Sequence, residues 1–257
     1  MRNIKAIFYK QLTDTIKNPA TLIQFIIFPL IAFAIERLMS VPTMIEQMAA
    51  ALPSGTDLDS IAAQMTANMP NMTTMQATVF AGMGLIPIVA GIIAEDIEKK
   101  SLRFLTMAGI KPPSYLLGIG GVVMFLSLFT SAAFSLVAGF RGLDFWIFTG
   151  AMMSGVAASI MLGAALGILT KNQQASAGIT MPIALVLGFG PIMAQMNPNI
   201  ARYLHVLYTQ QLNLIADYLN FGGIDTPLWQ SFAIIWANVA VLGLLFVIVF
   251  RKKWAVE

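Results

Sequence analysis

Residues 95–116 read EDIEKKSLRFLTMAGIKPPSYL, a charged island set between two stretches too apolar to live in water. The segment before it, ATVFAGMGLIPIVAGIIA (77–94), and the one after it, LGIGGVVMFLSLFTSAAFSLVAGF (117–140), contain no charged residue. A bilayer core about 30 Å thick takes roughly 20 apolar residues to cross as a helix. Both flanks therefore read as membrane spans and the island as the turn between them, with its six charged residues from Glu95 to Arg103 at one membrane face.

Composition extends that reading to the whole chain. Of 257 residues, 58% are hydrophobic and 11% charged, against about a quarter charged in a soluble domain. Six apolar segments follow: Ala20 to Ile35, Thr78 to Ala94, Tyr115 to Phe140, Phe145 to Leu169, Ala177 to Met196 and Leu228 to Phe250. The first reaches full length by adding Glu36 to Leu38, with Arg37 snorkelling to the interface. The polar, amphipathic start of the chain lacks the apolar core of a cleavable signal peptide. Zero cysteines exclude disulfides and thiolate metal sites.

Lysine and arginine give the orientation. With both termini in the cytoplasm, Arg2, Lys5, Lys10, Lys17, Lys99, Lys100, Arg103, Lys111, Lys171, Arg251, Lys252 and Lys253 fall inside, leaving Arg37, Arg141 and Arg202 outside. The net charge of +3 reflects this topology and carries no nucleic-acid inference.

Two segments outside the spans have helical order. In residues 2–18, Ile4, Ile7, Phe8, Leu12 and Ile16 share a face, predicting an interfacial helix that lies on the inner leaflet. In the island, residues 95–114, Ile97, Ser101, Phe104, Leu105 and Ala108 share a face, while Glu98, Lys99, Lys100 and Arg103 spread over the others. That pattern fits either an ordinary charged turn or a short docking helix. On the outer side, loop 39–76 holds seven methionines and is divided by Pro53, Ser54 and Gly55. Thioethers bind soft Cu(I), but methionine is more often an adaptable packing residue, and no metal site is assigned.

The fifth segment contains Pro182, Gly188, Gly190 and Pro191 before a polar outer excursion at 197–226. Either a broken span with a re-entrant pair of short helices or a simple proline kink accounts for it. In the fourth segment Gly155, Ser159, Gly163 and Gly167 recur every four residues, a stripe that lets helix backbones approach closely in lipid. Gly118 and Gly121 offer a weaker version in the third.

Absences narrow the function. No Asp, Glu, Lys, Arg or His lies between the span ends, which argues against ion-coupled transport, and no hydrolase or metalloprotease motif is present. The single histidine, His205, sits in the outer excursion, and Asp57 with Asp59 reads as loop solvation.

The layout of an amphipathic first helix, six spans, a long first outer loop and a charged turn after span two resembles the ABC-2 type permeases of ATP-binding cassette transporters. The island carries the resemblance in its residues. Glu95, Glu98, Leu102 and Leu105 occupy matching places, Ser101 stands where the family often has threonine, and Gly109 precedes the proline region. The resemblance implies an all-α permease domain spanning 1–257 in a bacterial plasma membrane. It further implies that Asp96, Ile97, Glu98, Lys100, Ser101, Arg103, Phe104 and Leu105 form a coupling helix docked on a separate cytoplasmic ATPase. No phosphate-binding G-x-x-x-x-G-K-[ST] occurs here, so ATP and Mg belong to that partner and this chain is not itself an enzyme. Six spans imply pairing with a second permease subunit, identical or related. Export of an amphipathic or hydrophobic cargo, such as a peptide antibiotic, drug or lipid-linked molecule, is the expected activity. The rivals are an ATP-independent carrier or channel and a membrane scaffold.

Overall fold

A chain with this hydrophobic patterning satisfies its backbone in lipid by closing every hydrogen bond within helices. The computed structural model describes residues 2–39, 41–49, 57–68, 71–107, 109–222 and 227–254, and all regular structure among them is helical. In chain order the elements are α1 (Arg2–Lys17), α2 (Pro19–Met39), α3 (Val41–Ala49), α4 (Leu58–Asn68) and α5 (Met72–Val79). A π-helical turn at Phe80–Gly84 leads into α6 (Leu85–Glu98), then α7 (Ser101–Met107), α8 (Pro112–Val137) and α9 (Gly142–Leu169). The chain continues with α10 (Gln173–Met196), α11 (Pro198–Leu204), α12 (Tyr208–Phe221) and α13 (Leu228–Trp254). Six helical runs are long and apolar enough to cross a membrane: α2, α5 with α6, α8, α9, α10 and α13. The Pro53–Gly55 break, Met69, Ala108 and residues 223–226 lie outside the described residues, as does the Arg103 side chain, although its backbone belongs to α7.

Polar contacts define two ends. At the basic face Lys10 of α1 approaches Asp96 of α6, and Gln173 at the start of α10 bonds Glu95. At the far face the Asn71 amide donates to the Ala138 carbonyl just past α8, and Thr73 donates to Glu36 near the end of α2. The spans from α2 to α10 thus alternate in direction.

The central pair is α6 and α9, and Gly163 and Gly167 of the small-residue stripe lie along their contact. A β-carbon at Gly163 would stand 2.8 Å from the Ile86 carbonyl oxygen, and one at Gly167 would stand 2.7 Å from that of Ala90. Ser159 donates to the Ala81 carbonyl at 2.6 Å, and Gly155 faces Leu212 of α12. α2 and α13 lie at the periphery with most of their apolar surface uncovered.

The π-helical turn is a second crossing point. Phe80 is fully buried and its ring packs on Phe25 and Phe28 of α2 and Phe134 of α8. Gly82 lets the turn meet α10 backbone to backbone, since a β-carbon there would stand 2.7 Å from the Leu187 carbonyl carbon.

For α10 the structure takes one of two alternatives that the sequence left open, and for α1 the buried face differs from the one read from the sequence. α10 is one continuous helix through Pro182 and Pro191, and the chain reverses only after Met196. Each proline deletes a single N–H bond, and Gly188 and Gly190 serve close approach to Met83 and Leu204 rather than a break. α1 buries Ile7, Gln11 and Thr15, four residues apart, and leaves Tyr9 and Ile16 exposed. Its buried face is set by α8, where Gly118 receives Ile7, Gly121 receives Phe8, and Phe8 stacks edge-on to Phe125.

Candidate functional site

The island begins inside α6. Asp96, Ile97 and Glu98 form its last turn, Lys100 reverses the chain with φ of 57°, and Ser101, Phe104 and Leu105 lie on α7. A positive φ is uncommon for a residue with a β-carbon and marks a turn whose geometry is imposed by its surroundings.

Those surroundings are the acidic side chains, which between them hold α1, α8 and α10. Asp96 is buried, accepts a 2.7 Å hydrogen bond from the Tyr115 hydroxyl of α8, and stands 3.6 Å from the Lys10 ammonium of α1. Glu98 accepts the Gln173 backbone N–H at 3.2 Å and sits at the positive end of the α10 dipole, where Asn172 caps the helix through the Ala175 N–H. Glu95 accepts from the Gln173 side-chain amide at 2.8 Å and pairs with Lys99, whose ammonium it holds above its usual pKa. A displacement of this turn therefore acts on α1, α8 and α10 together.

On α7 the partition is different. Leu102 is buried and Leu105 is half-buried, whereas Phe104 is 69% and Met107 76% exposed at the basic face. The face read from the sequence grouped Phe104 with Leu105 and missed Leu102, which α7 turns into the apolar core.

Between α1, α2, α6 and α10 a cleft of about 840 Å³ opens beside the turn. Lys10, Asp14, Lys17, Glu95 and Lys99 line its charged part, and Gln24, Pro87, Ile88 and Gly91 line it farther along α2 and α6. From Glu95 to Pro87 is about 12 Å along a helix axis, so the cleft reaches well into the apolar part of the bundle. Its chemistry is that of a polar mouth on an apolar wall.

A second polar region was not visible from the spans. α11 runs back from the far end of α10, with Leu204 against Gly190, and α12 starts at Tyr208, whose hydroxyl lies 2.9 Å from Ser159 of α9. α12 then returns to the far face, where Asn71 reaches Asn220. This helix packs against α5, α9, α10 and α13, and it buries Thr209, Gln210, Gln211 and Asn213. The oxygens of these four side chains have no hydrogen-bond partner among the described residues. Orphaned buried acceptors cost about 1–3 kcal/mol each, so four on one short helix need an account. One turn on, Asn213 donates to Asp217 at 3.1 Å, and burial pushes the Asp217 carboxyl up to about 6. The spans themselves lack ionisable residues in their interiors, yet α12 carries one into the bundle. Asp217, Asn213, Tyr115 and Gln173 escaped the sequence reading because only tertiary packing gives them partners or burial.

No family model matches this chain, and no curated protein matches it.

Proposed function

We propose that this chain is the membrane-embedded subunit of an ATP-driven exporter of the ABC-2 type, working as a dimer with a separate cytoplasmic ATPase. In this reading α1 is the interfacial helix, α7 the coupling helix, and α11 with α12 a re-entrant pair at the exit side. The observation that carries it is the exposed Phe104 and Met107 pair on a short helix whose root is tied to α1, α8 and α10. An aromatic anchor presented on such a lever suits a partner groove, and the cleft beside it suits an amphipathic cargo entering from the same face. The exposed apolar faces of α2 and α10 are the surfaces on which a second permease subunit is expected.

The test is docking. Truncating a central anchor costs about 2 kcal/mol, roughly a thirtyfold loss of affinity. Phe104→Ala is expected to lose the co-purifying ATPase and its stimulated hydrolysis while inserting and folding normally. Glu98→Lys is a poor probe, because Glu98 also holds the start of α10. Undiminished ATPase association in Phe104→Ala and in Phe104→Ala with Met107→Ala would return α7 to an ordinary interfacial turn.

A second reading, an ATP-independent carrier, draws support from Asp217 and the unpartnered oxygens of α12. Cargo flux in sealed vesicles without nucleotide separates the two: flux that persists there favours the carrier.

A further inference from the structure

Positions 209, 210, 213, 217 and 220 of α12 fall within a 100° arc at 100° per residue, so Thr209, Gln210, Asn213, Asp217 and Asn220 form one polar stripe. An amphipathic helix ordinarily turns such a stripe to solvent. Here Thr209 is 0%, Gln210 5% and Asn213 1% exposed, inside the bundle. The Asn213 amide nitrogen is committed to Asp217, one turn toward the far face, and its carbonyl oxygen is left without a partner. Three unpartnered oxygens, Thr209 Oγ1, Gln210 Oε1 and Asn213 Oδ1, thus belong to one buried arc of α12, with the Asp217 carboxylate adjoining Asn213.

We propose that this arc of α12 binds a monovalent metal cation, with these three oxygens as ligands and Asp217 as its counter-charge. The two unmatched amide oxygens only accept, and the Thr209 hydroxyl can turn its O–H aside and present a lone pair, so a donor or a cation complements all three. Water offers two O–H groups and cannot neutralise a carboxylate; no cationic side chain pairs with Asp217 among the described residues. A single positive charge balances it, whereas a divalent ion would leave net charge in a low-dielectric interior. Among the described residues no group of three or more His, Asp or Glu provides the ligand set of a more highly charged metal. Hard oxygen ligands of this kind suit sodium. This site stands apart from the coupling turn and does not rest on the exporter reading.

Charge elsewhere leaves the assignment to Asp217 clear. α5 and α10 carry no titratable side chain, α9 has only Asp144 in its exposed first turn, and α13 has only basic residues in its last turns. Arg202, Tyr203 and His205 precede α12, and Tyr208 and Tyr218 lie on it outside the polar arc.

The probe is sodium chloride against N-methylglucamine chloride at equal ionic strength, on the purified full chain in detergent at neutral pH. Sodium is expected to raise the unfolding temperature saturably and to bind as radioactive sodium in equilibrium dialysis. Thr209→Val keeps the side-chain shape and removes one ligand, and Asp217→Asn removes the charge. Each is expected to weaken sodium binding by about tenfold or more while the protein stays folded in N-methylglucamine. Equal unfolding temperatures in the two salts with no saturable sodium uptake, or variants that bind as the wild type does, would overturn the site and leave these oxygens to water.

Discussion

Asp96 shows how one side chain can fix three helices. Its carboxylate takes the Tyr115 hydroxyl from α8 and faces Lys10 of α1, while its own backbone ends α6. Tyr115→Phe removes the buried donor and is expected to lower stability by about 1–3 kcal/mol, read as a lower unfolding temperature in detergent. An unchanged temperature would mean that Asp96 is hydrated there and links nothing. Asp217 gives the opposite electrostatic case. Its folded pKa, about 6, lies above the ordinary 3.8, so the folded state holds the proton more tightly. Stability is then greatest below about 4 and declines as pH rises to about 6, by about 3 kcal/mol in total. In sodium-free buffer, Asp217→Asn should flatten that decline; an equally steep profile in the variant would assign it to another group.

At the scale of elements, the α6–α9 contact depends on missing side chains. Gly163 lies 2.8 Å from a backbone oxygen as measured from a built β-carbon, so no rotamer change in a neighbour can make room. Gly163→Leu is expected to separate the two helices and reduce folded yield severely. Leu166→Ala, three residues on and also buried, leaves a cavity that should cost about 2–5 kcal/mol but keep the helix pair together. Equal folded yield and stability for the two variants would remove the close-packing role. The same contrast explains α10. Its prolines and glycines look like a break in the sequence, but a helix supported by neighbours on several sides tolerates two lost hydrogen bonds, and the glycines are spent on contacts with Met83 and Leu204.

For the whole molecule, the alternation of the spans places Lys100 and Lys171 at one face and Asp57 and Arg141 at the other. The charge asymmetry then predicts which face is cytoplasmic. Since the native chain has no cysteine, single cysteines at these positions report directly. An impermeant thiol reagent on intact cells should label positions 57 and 141 and spare 100 and 171; the reverse pattern would invert the topology. This experiment also fixes whether the cleft opens to the cytoplasm, which the exporter reading requires.

Hydrophobic runs of about 20 residues, separated by charged or polar turns, determined by themselves that the chain is all-helical with six helices fit to cross a membrane. Local composition is enough because lipid leaves the backbone no other way to satisfy its hydrogen bonds within a span. The small-residue stripe on α9 was also legible, since its four-residue period is a property of one helix, although its partners, α6 and α12, were not. What the sequence left open depends on contacts between residues far apart in the chain. Glu98 reads as a surface charge until α10 brings the Gln173 N–H to it, and Asp96 reads likewise until Tyr115 covers it. The polar stripe of α12 reads as a solvent-facing surface in an outer loop. Only its insertion among α5, α9, α10 and α13 turned it into buried oxygens in need of a partner, because burial is a relation between elements and no single segment encodes it.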